Sequence, residues 1–379
     1  MANTPNIRFK GFADDWEQRK VKDIAPLQRG FDLPTSQMEE GVYPVVMSNG
    51  IGGHHSQYKV KGPGIVTGRS GTIGRLHYIE GDYWPHNTTL WVTDFYGNNQ
   101  KFIYYMYQCL DLSHFSTGSG VPTLNRNDVH DEVVCIPSVD EQKKISDYLT
   151  ALDHLITLHQ RKFDEIKQLK KFMLQKMFPK NGELIPEIRF VGFTGAWEQR
   201  KFGDLGSVAM CKRIFKEQTA PEGEIPFYKI GTFGDQPDAF ISRELFEEYK
   251  EKFQYPEVGD MLISASGTIG RTVEYNGEDA YFQDSNIVWF KHDERIDNSF
   301  LKCIYTLVKW SGIEGSTIKR LYNDNFLKTE FCMPSVSEQK GIGTYFRHLD
   351  RLITLHQHKC DQLKEVKRFM LQNMFPQKG

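Results

Sequence analysis

The feature that most constrains this chain is a long segment written twice. SVDEQKKISDYLTALDHLITLHQRKFDEIKQLKKFMLQKMF, Ser138 to Phe178, returns as SVSEQKGIGTYFRHLDRLITLHQHKCDQLKEVKRFMLQNMF, Ser335 to Phe375, with 25 of 41 positions identical. Each copy sets Ser three residues before Glu (Ser138/Glu141, Ser335/Glu338), which predicts a helix opened by a capping box. Apolar residues then recur at helical spacing, among them Ile145, Leu149, Leu152 and Ile156 in one copy and Ile342, Phe346, Leu349 and Ile353 in the other. Each copy stops at a Phe-Pro pair, Phe178-Pro179 and Phe375-Pro376, where the ring disfavours further helix. A helix of this length runs roughly 55 Å, more than one compact domain surrounds, so the simplest mate for each apolar stripe is the other copy.

A shorter repeat accompanies the first. IRFKGFADDWEQRK, Ile7 to Lys20, recurs as IRFVGFTGAWEQRK, Ile188 to Lys201, with ten of 14 positions identical. The chain is therefore one unit written twice: opening motif, variable region, long helix, linker, and the same again. Its end, FPQKG, resembles the FPKNG that precedes the second opening motif, a circular order that predicts a pseudo-two-fold object whose termini meet. The resulting boundaries are residues 1–137 and 188–334 for two globular domains, 138–178 and 335–379 for the long helices, and 179–187 for the linker.

The variable regions share a skeleton. Strands are expected at Tyr43 to Asn49 and Phe227 to Phe233, and around the Gly-rich turns of Gly64 to Arg75 and Asp260 to Arg271. Further strands are expected at Thr89 to Thr93 and Ile287 to Phe290, then a helix at Phe102 to Leu110 or Phe300 to Val308. Each region closes with a polar loop (Ser116 to Asn127; Gly312 to Asn323) and a strand (Val129 to Ile136; Phe326 to Met333) leading into its long helix. The fold class is α+β (mixed α/β): two pseudo-symmetric globules joined by two long helices in an antiparallel coiled coil. His159 and His356, equivalent residues at the helix midpoints, should lie close together where such helices cross.

The 379 residues suffice for two or three domains, and 39% hydrophobic content is ordinary for folded cores. No apolar run reaches the length of a membrane span, and the N-terminus lacks a signal-peptide core. The six cysteines have no metal-ligand spacing and read as reduced thiols of a cytoplasmic protein. A net charge of −2 says little, although Arg161 to Lys180 carries seven basic residues against Asp164 and Glu165; a solvated helix face is the ordinary explanation.

Catalytic signatures are missing. SGTIGR, at Ser70 to Arg75 and Ser266 to Arg271, lacks the GKS/T ending of a nucleotide P-loop and the third glycine of a dinucleotide fingerprint, and reads as a tight turn. His54-His55 and His356/His358 have no third ligand at useful spacing, and neither a nucleophile elbow, an HExxH nor an Asp/Asn-Pro-Pro-aromatic segment is present. The polar loops hold the side chains suited to bidentate base or phosphate contacts: Arg69, Arg75, Asn125 and Arg126 in the first half, and Arg271, Lys319, Arg320 and Asn323 in the second. Any one of these is equally at home as a plain surface residue; as matched sets in two similar domains they are the candidate DNA contacts.

Two variable domains, each followed by one of two near-identical helices, with Trp16-Glu17-Gln18-Arg19-Lys20, Trp197-Glu198-Gln199-Arg200-Lys201, Glu141-Gln142 and Glu338-Gln339 at matched places, resemble the specificity subunits of type I restriction-modification enzymes. The resemblance covers essentially the whole chain. It implies a non-catalytic subunit whose two target recognition domains each read one half of a bipartite, asymmetric sequence in double-stranded DNA. The paired helices would act as a ruler and as a docking surface for two methyltransferase subunits, with two motor-nuclease subunits completing the restriction enzyme. S-adenosylmethionine, ATP and Mg²⁺ would serve those partners, and no cofactor is expected in this chain. A scaffold whose helices assemble partner proteins without reading DNA is the alternative.

Overall fold

A computed structural model of the protein describes residues 4–117, 122–180, 182–313 and 319–376. The chain divides into two compact units, Met1–Arg161 with His356–Gly379, and Lys162–Leu355. Each long helix is cut by this division, so each unit owns one half of each helix.

In the first unit the strands are β1 (Glu17–Lys20), β2 (Leu27–Arg29), β3 (Tyr43–Met47), β4 (Gly50–His55), β5 (Gly64–Gly68), β6 (Leu76–Ile79), β7 (Trp84–Pro85) and β8 (Thr89–Val92). Helix α1 (Gln100–Cys109), β9 (Ser116–Thr117), β10 (Thr123–Leu124), α2 (Arg126–Asp131), β11 (Val133–Ile136) and the long α3 (Val139–Lys176) follow. Strands order as an antiparallel sheet β2-β8-β5-β6, a second sheet β4-β3-β7 in which β3 and β7 are parallel, and a clasp in which β1 pairs β11. β5, buried at every residue, is central to the larger sheet, and its Ile65 joins a core with Trp16, Phe102, Tyr107 and Leu149.

The second unit repeats this plan. Its elements are β12 (Glu198–Lys201), β13 (Gly206–Ala209), β14 (Ile225–Tyr228), β15 (Phe240–Ile241), α4 (Arg243–Lys252), β16 (Met261–Ser264), β17 (Thr272–Glu274), β18 (Tyr281–Phe282) and β19 (Ile287–His292). They are followed by α5 (Asn298–Leu307), α6 (Asn323–Lys328), β20 (Glu330–Met333) and α7 (Val336–Met374). Sheets β13-β19-β16-β17 and β15-β14-β18 and the clasp β12-β20 match three of the first unit's sheets strand for strand, while the pair β9-β10 has no counterpart among the described residues of the second. Divergent sequences thus share one topology because the buried positions of the strands, not their exposed ones, decide the pairing.

Within each unit the two helix halves run antiparallel. In the first, Lys367 bonds Asp153 at 2.6 Å, Cys360 Sγ approaches the Ile156 carbonyl, and His159 meets His356 Nδ1 to Nδ1 at 3.0 Å, the closeness expected of the two midpoints. In the second, Lys170 bonds Asp350 at 2.5 Å, and Phe346 packs on Phe178. An aromatic trio closes each unit: Trp16, Phe102 and Phe375 with centroids 5.3–6.3 Å apart, and Trp197, Phe300 and Phe178 at 5.7–5.8 Å. Backbone bonds repeat as well, Ile7 N to Asn373 O and Ile188 N to Lys176 O. The chain ends therefore do for one unit what the linker does for the other.

Two local expectations are corrected. The strands expected over Val129 to Ile136 and Phe326 to Met333 are helix and strand in succession, since α2 and α6 occupy the first part of each. Asn125 caps α2, its Oδ1 accepting from Asn127 N at 3.1 Å, and a six-residue helix is too short to print a readable period in the sequence. The capping boxes are also incomplete. Ser335 Oγ accepts from Glu338 N at 3.4 Å, but the glutamates turn elsewhere: Arg8 Nε and Nη2 grip Glu141 at 2.6 and 2.7 Å, and Arg189 grips Glu338 at the same two distances. A bidentate guanidinium outbids a neutral amide for an almost wholly buried carboxylate.

Candidate nucleic-acid interface

The repeated motifs build the joint from which the loops project. Gln142 accepts from Asn99 N at 2.8 Å and donates to Asn98 Oδ1 and Pro137 O, so one buried carboxamide ties the start of α3 to the N-terminus of α1. Gln339 does the same for α7 and α5 through Asp297 N, Arg295 O and Pro334 O. Glu-Gln at each helix start is thus a two-sided anchor: glutamate holds the opening motif, and glutamine holds the domain that follows it.

At one end of the larger sheet in each unit, three loops meet. In the first unit Ser70 bridges Thr123 across the Gly-rich turn and the polar loop, Leu124 N bonds Arg69 O at 2.8 Å, and Arg69 N bonds Thr88 O at 2.9 Å. In the second, Ser266 bridges Arg320, Gly267 N bonds Lys319 O at 3.0 Å, and Ala265 N bonds Asn286 O at 2.7 Å. Turn, polar loop and the connection before β8 or β19 are therefore laced by backbone, which leaves side chains free to differ.

The candidate residues fall on this cluster unequally. Arg75, Arg126, Lys319, Arg320 and Asn323 are exposed and Arg69 is partly buried. Asn125 spends its Oδ1 on the α2 cap, and exposed Arg271 turns back to donate Nη2 to Gly234 O at 3.0 Å, so both have structural duties beside any contact with DNA. Burial and Arg75 hold His77 below the usual histidine range, and burial and Arg126 do the same for His130, whose Nε2 accepts from Leu27 N at 2.8 Å. The third loop, His86-Asn87-Thr88 and Asp284-Ser285-Asn286, is absent from the sequence-based candidates. Its residues are ordinary turn formers, and the one local oddity, Ser285 at φ +50°, is invisible without coordinates. Asn286 Oδ1 accepts from Ser266 Oγ at 2.7 Å, and Asn87 Nδ2 bonds Asp32 Oδ1.

Among the described residues no three His, Cys, Asp or Glu side chains are grouped to hold a metal ion, and no helix is long and apolar enough to cross a membrane. A family model described as the type I restriction modification DNA specificity domain matches residues 13–168 and, a second time, 195–365. The chain belongs to the type I restriction-modification specificity subunits. A putative type I restriction enzyme specificity subunit of Haemophilus influenzae is 37% identical over 346 residues, covering 89% of this chain and 88% of that one. The MjaVIII specificity subunit of Methanocaldococcus jannaschii is 23% identical, over 68% of this chain and 64% of its own length. In fold, this specificity subunit is similar to the crystal structure of the type I system S subunit from M. genitalium, with a TM-score of 0.71 over 99% of this chain and 100% of that one, at 14% identity. The specificity subunit is the DNA-recognition component of a multisubunit type I complex, with two recognition-type domains joined to long helices that pack together, and it is the non-catalytic component.

Proposed function

We propose that each three-loop cluster reads one part of a bipartite, asymmetric sequence in double-stranded DNA, with residues 1–137 and 188–334 as the two target recognition domains. One observation carries this reading: the same backbone lacing recurs in both units under different side chains, Arg69 and Thr123 in one and Ala265 and Arg320 in the other. A conserved platform with unlike readers suits two unlike half-sites, whereas identical readers would suit a palindrome. The candidate contacts are Arg69, Arg75, Asn125 and Arg126 in the first domain and Arg271, Lys319, Arg320 and Asn323 in the second.

In this reading α3 and α7 also space the two readers and dock two methyltransferase subunits, which carry S-adenosylmethionine. Two motor-nuclease subunits, using ATP and Mg²⁺, complete the restriction enzyme. Docking is supported by exposed apolar residues at equivalent helix positions, Leu155 and Leu352, Leu158 and Leu355, Phe172 and Phe369, each 40–57% exposed. Scattered singly such residues need no explanation; repeated on both helices they suit a partner surface. With methyltransferases supplying phosphate contacts, a net charge of −2 is compatible with duplex binding.

The test is domain exchange. Residues 21–135 are replaced by the equivalent region of a relative, the subunit is assembled with its methyltransferase, and modified sites are sequenced. One half-site should change and the other stay. Change in both halves, or in neither, would overturn the modular reading, and unchanged specificity would favour a scaffold.

A further inference from the structure

We propose that the tip of the β3–β4 hairpin, Ser48-Asn49-Gly50-Ile51, is a base-reading element of the first recognition domain, with Asn49 and Ile51 making the contacts. The proposal deepens the reading above and rests on it. β3 and β4 are joined by only Ser48 and Asn49, and β4 is the outer strand of its sheet. Past Val46, where the pairing of β3 with β7 stops, the end of the hairpin is two-stranded, a shape the DNA major groove admits. Its register shifts between Val45 and Val46, an irregularity of the kind that re-aims the end of a ribbon.

The tip lies against the loop cluster already described. A Cβ on Gly68 would stand 3.1 Å from the Ser48 carbonyl oxygen, and one on Gly71 would stand 3.7 Å from Ser48 Oγ. A Cβ on Gly50 would likewise stand 3.8 Å from His77 Cε1 on the adjoining β6. Ribbon tip and Gly-rich turn therefore face the same ligand. Gly50, at φ +131°, holds a conformation that favours glycine, which keeps the tip narrow.

Two side chains at the tip have no part in the fold. Asn49 is exposed and without a hydrogen-bond partner among the described residues, and Ile51 is 59% exposed. Their chemistry fits base edges: a carboxamide pairs with adenine N6 and N7, and an aliphatic side chain packs on the thymine methyl. The second unit differs at the matching place. There β14 and β15 are joined by residues 229–239, folded back by Lys229 N to Thr232 Oγ1 and Ile230 N to Gln283 Oε1, and this loop meets its Gly-rich turn through Arg271 and Gly234. Equivalent positions thus present a ribbon in one domain and a compact loop in the other.

The experiment assembles the full subunit, as wild type, Asn49→Ala, Asn49→Asp and Ile51→Ala, with its methyltransferase. Methylation is scored on a library with every single-base change in both half-sites at constant spacer. Each variant should lose discrimination by roughly 5- to 150-fold at one or two positions of the half-site that follows residues 21–135, and Asn49→Asp should move preference from adenine toward cytosine. Thermal melts should be unchanged, both side chains being exposed. An unaltered profile, a uniform fall across all sequences, or a change confined to the other half-site would each overturn the proposal. Failure of the modular reading is separable, because it would appear in the domain exchange whatever the hairpin variants do.

Discussion

His159 and His356 face each other across the antiparallel helix halves, Nδ1 to Nδ1 at 3.0 Å with ring centroids 5.2 Å apart. At that distance one ring donates its Nδ1–H and the other accepts on its Nδ1 lone pair. His159→Leu alone strands the partner's nitrogen in a half-buried site and should destabilise by about 1–2 kcal/mol. The double variant His159→Leu/His356→Leu should recover most of that loss, because two apolar side chains leave no polar atom unpaired. Denaturation midpoints of the two single variants and the double would check it; simple additivity would contradict the pairing.

Arg8 and Arg189 are predicted to be the most sensitive residues of the opening motifs. Glu141 and Glu338 are 1% exposed, and each relies on one guanidinium. Arg8→Ala strands a buried carboxylate and should cost about 3 kcal/mol or more, whereas Arg8→Met with Glu141→Met should cost clearly less. Melting temperatures of the three proteins decide between this account and a merely superficial ion pair.

In the second recognition domain, Lys319→Ala and Arg320→Ala should weaken modification of the native site. A bidentate base contact predicts a loss of roughly 1–3 kcal/mol with relaxed specificity at one position. A phosphate contact predicts weaker binding to all sequences and a shallower salt dependence. Wild-type methylation and salt slope in both variants would turn this loop away from DNA.

His130 predicts a pH dependence. Burial and Arg126 lower its affinity for a proton, and protonation would also break the bond it accepts from Leu27 N. Because the folded pKa lies below the unfolded value of about 6.5, the unfolded chain takes the proton first. Stability from this group is complete above about pH 6.5 and is lost as pH falls below it toward the depressed value. The melting temperature of His130→Gln, measured from pH 8 to pH 5.5, should therefore fall less on the acid side than that of the wild type.

Lengthening both long helices tests the spacing role. One heptad inserted after Gln160 and another after Gln357 keeps each apolar stripe in phase and adds roughly 10 Å of helix. At about 3.4 Å per base pair, the favoured spacer should grow by about three base pairs in a methylation competition among spacers. A folded, active insertion variant that still prefers the native spacer would show that the helices do not set it.

Much of this architecture is legible in the residues. The long helices announce themselves because helical periodicity is local: Ile145, Leu149, Leu152 and Ile156 mark a face whatever covers it. Duplication then supplies the antiparallel mate, and with it the meeting of His159 and His356 at the midpoints. The loops were legible as places rather than as contacts. Gly-rich turns and polar segments identify themselves by composition, so Arg69, Lys319 and Arg320 were within reach of the sequence.

Tertiary structure alone decided which partners those residues take. Glu141 reads locally as half of a capping box, and only the fold brings Arg8, 133 positions away, into bidentate range. The same holds for Gln142 with Asn99, for the loop at Thr88 laced to Arg69, and for the hairpin tip at Ser48 lying against Gly68. Sequence determines secondary structure where the decisive interactions lie within a few residues along the chain. Pairings between distant segments depend on how sheets and helices stack, and that is settled by burial of the whole core rather than by any short stretch that could be read beforehand.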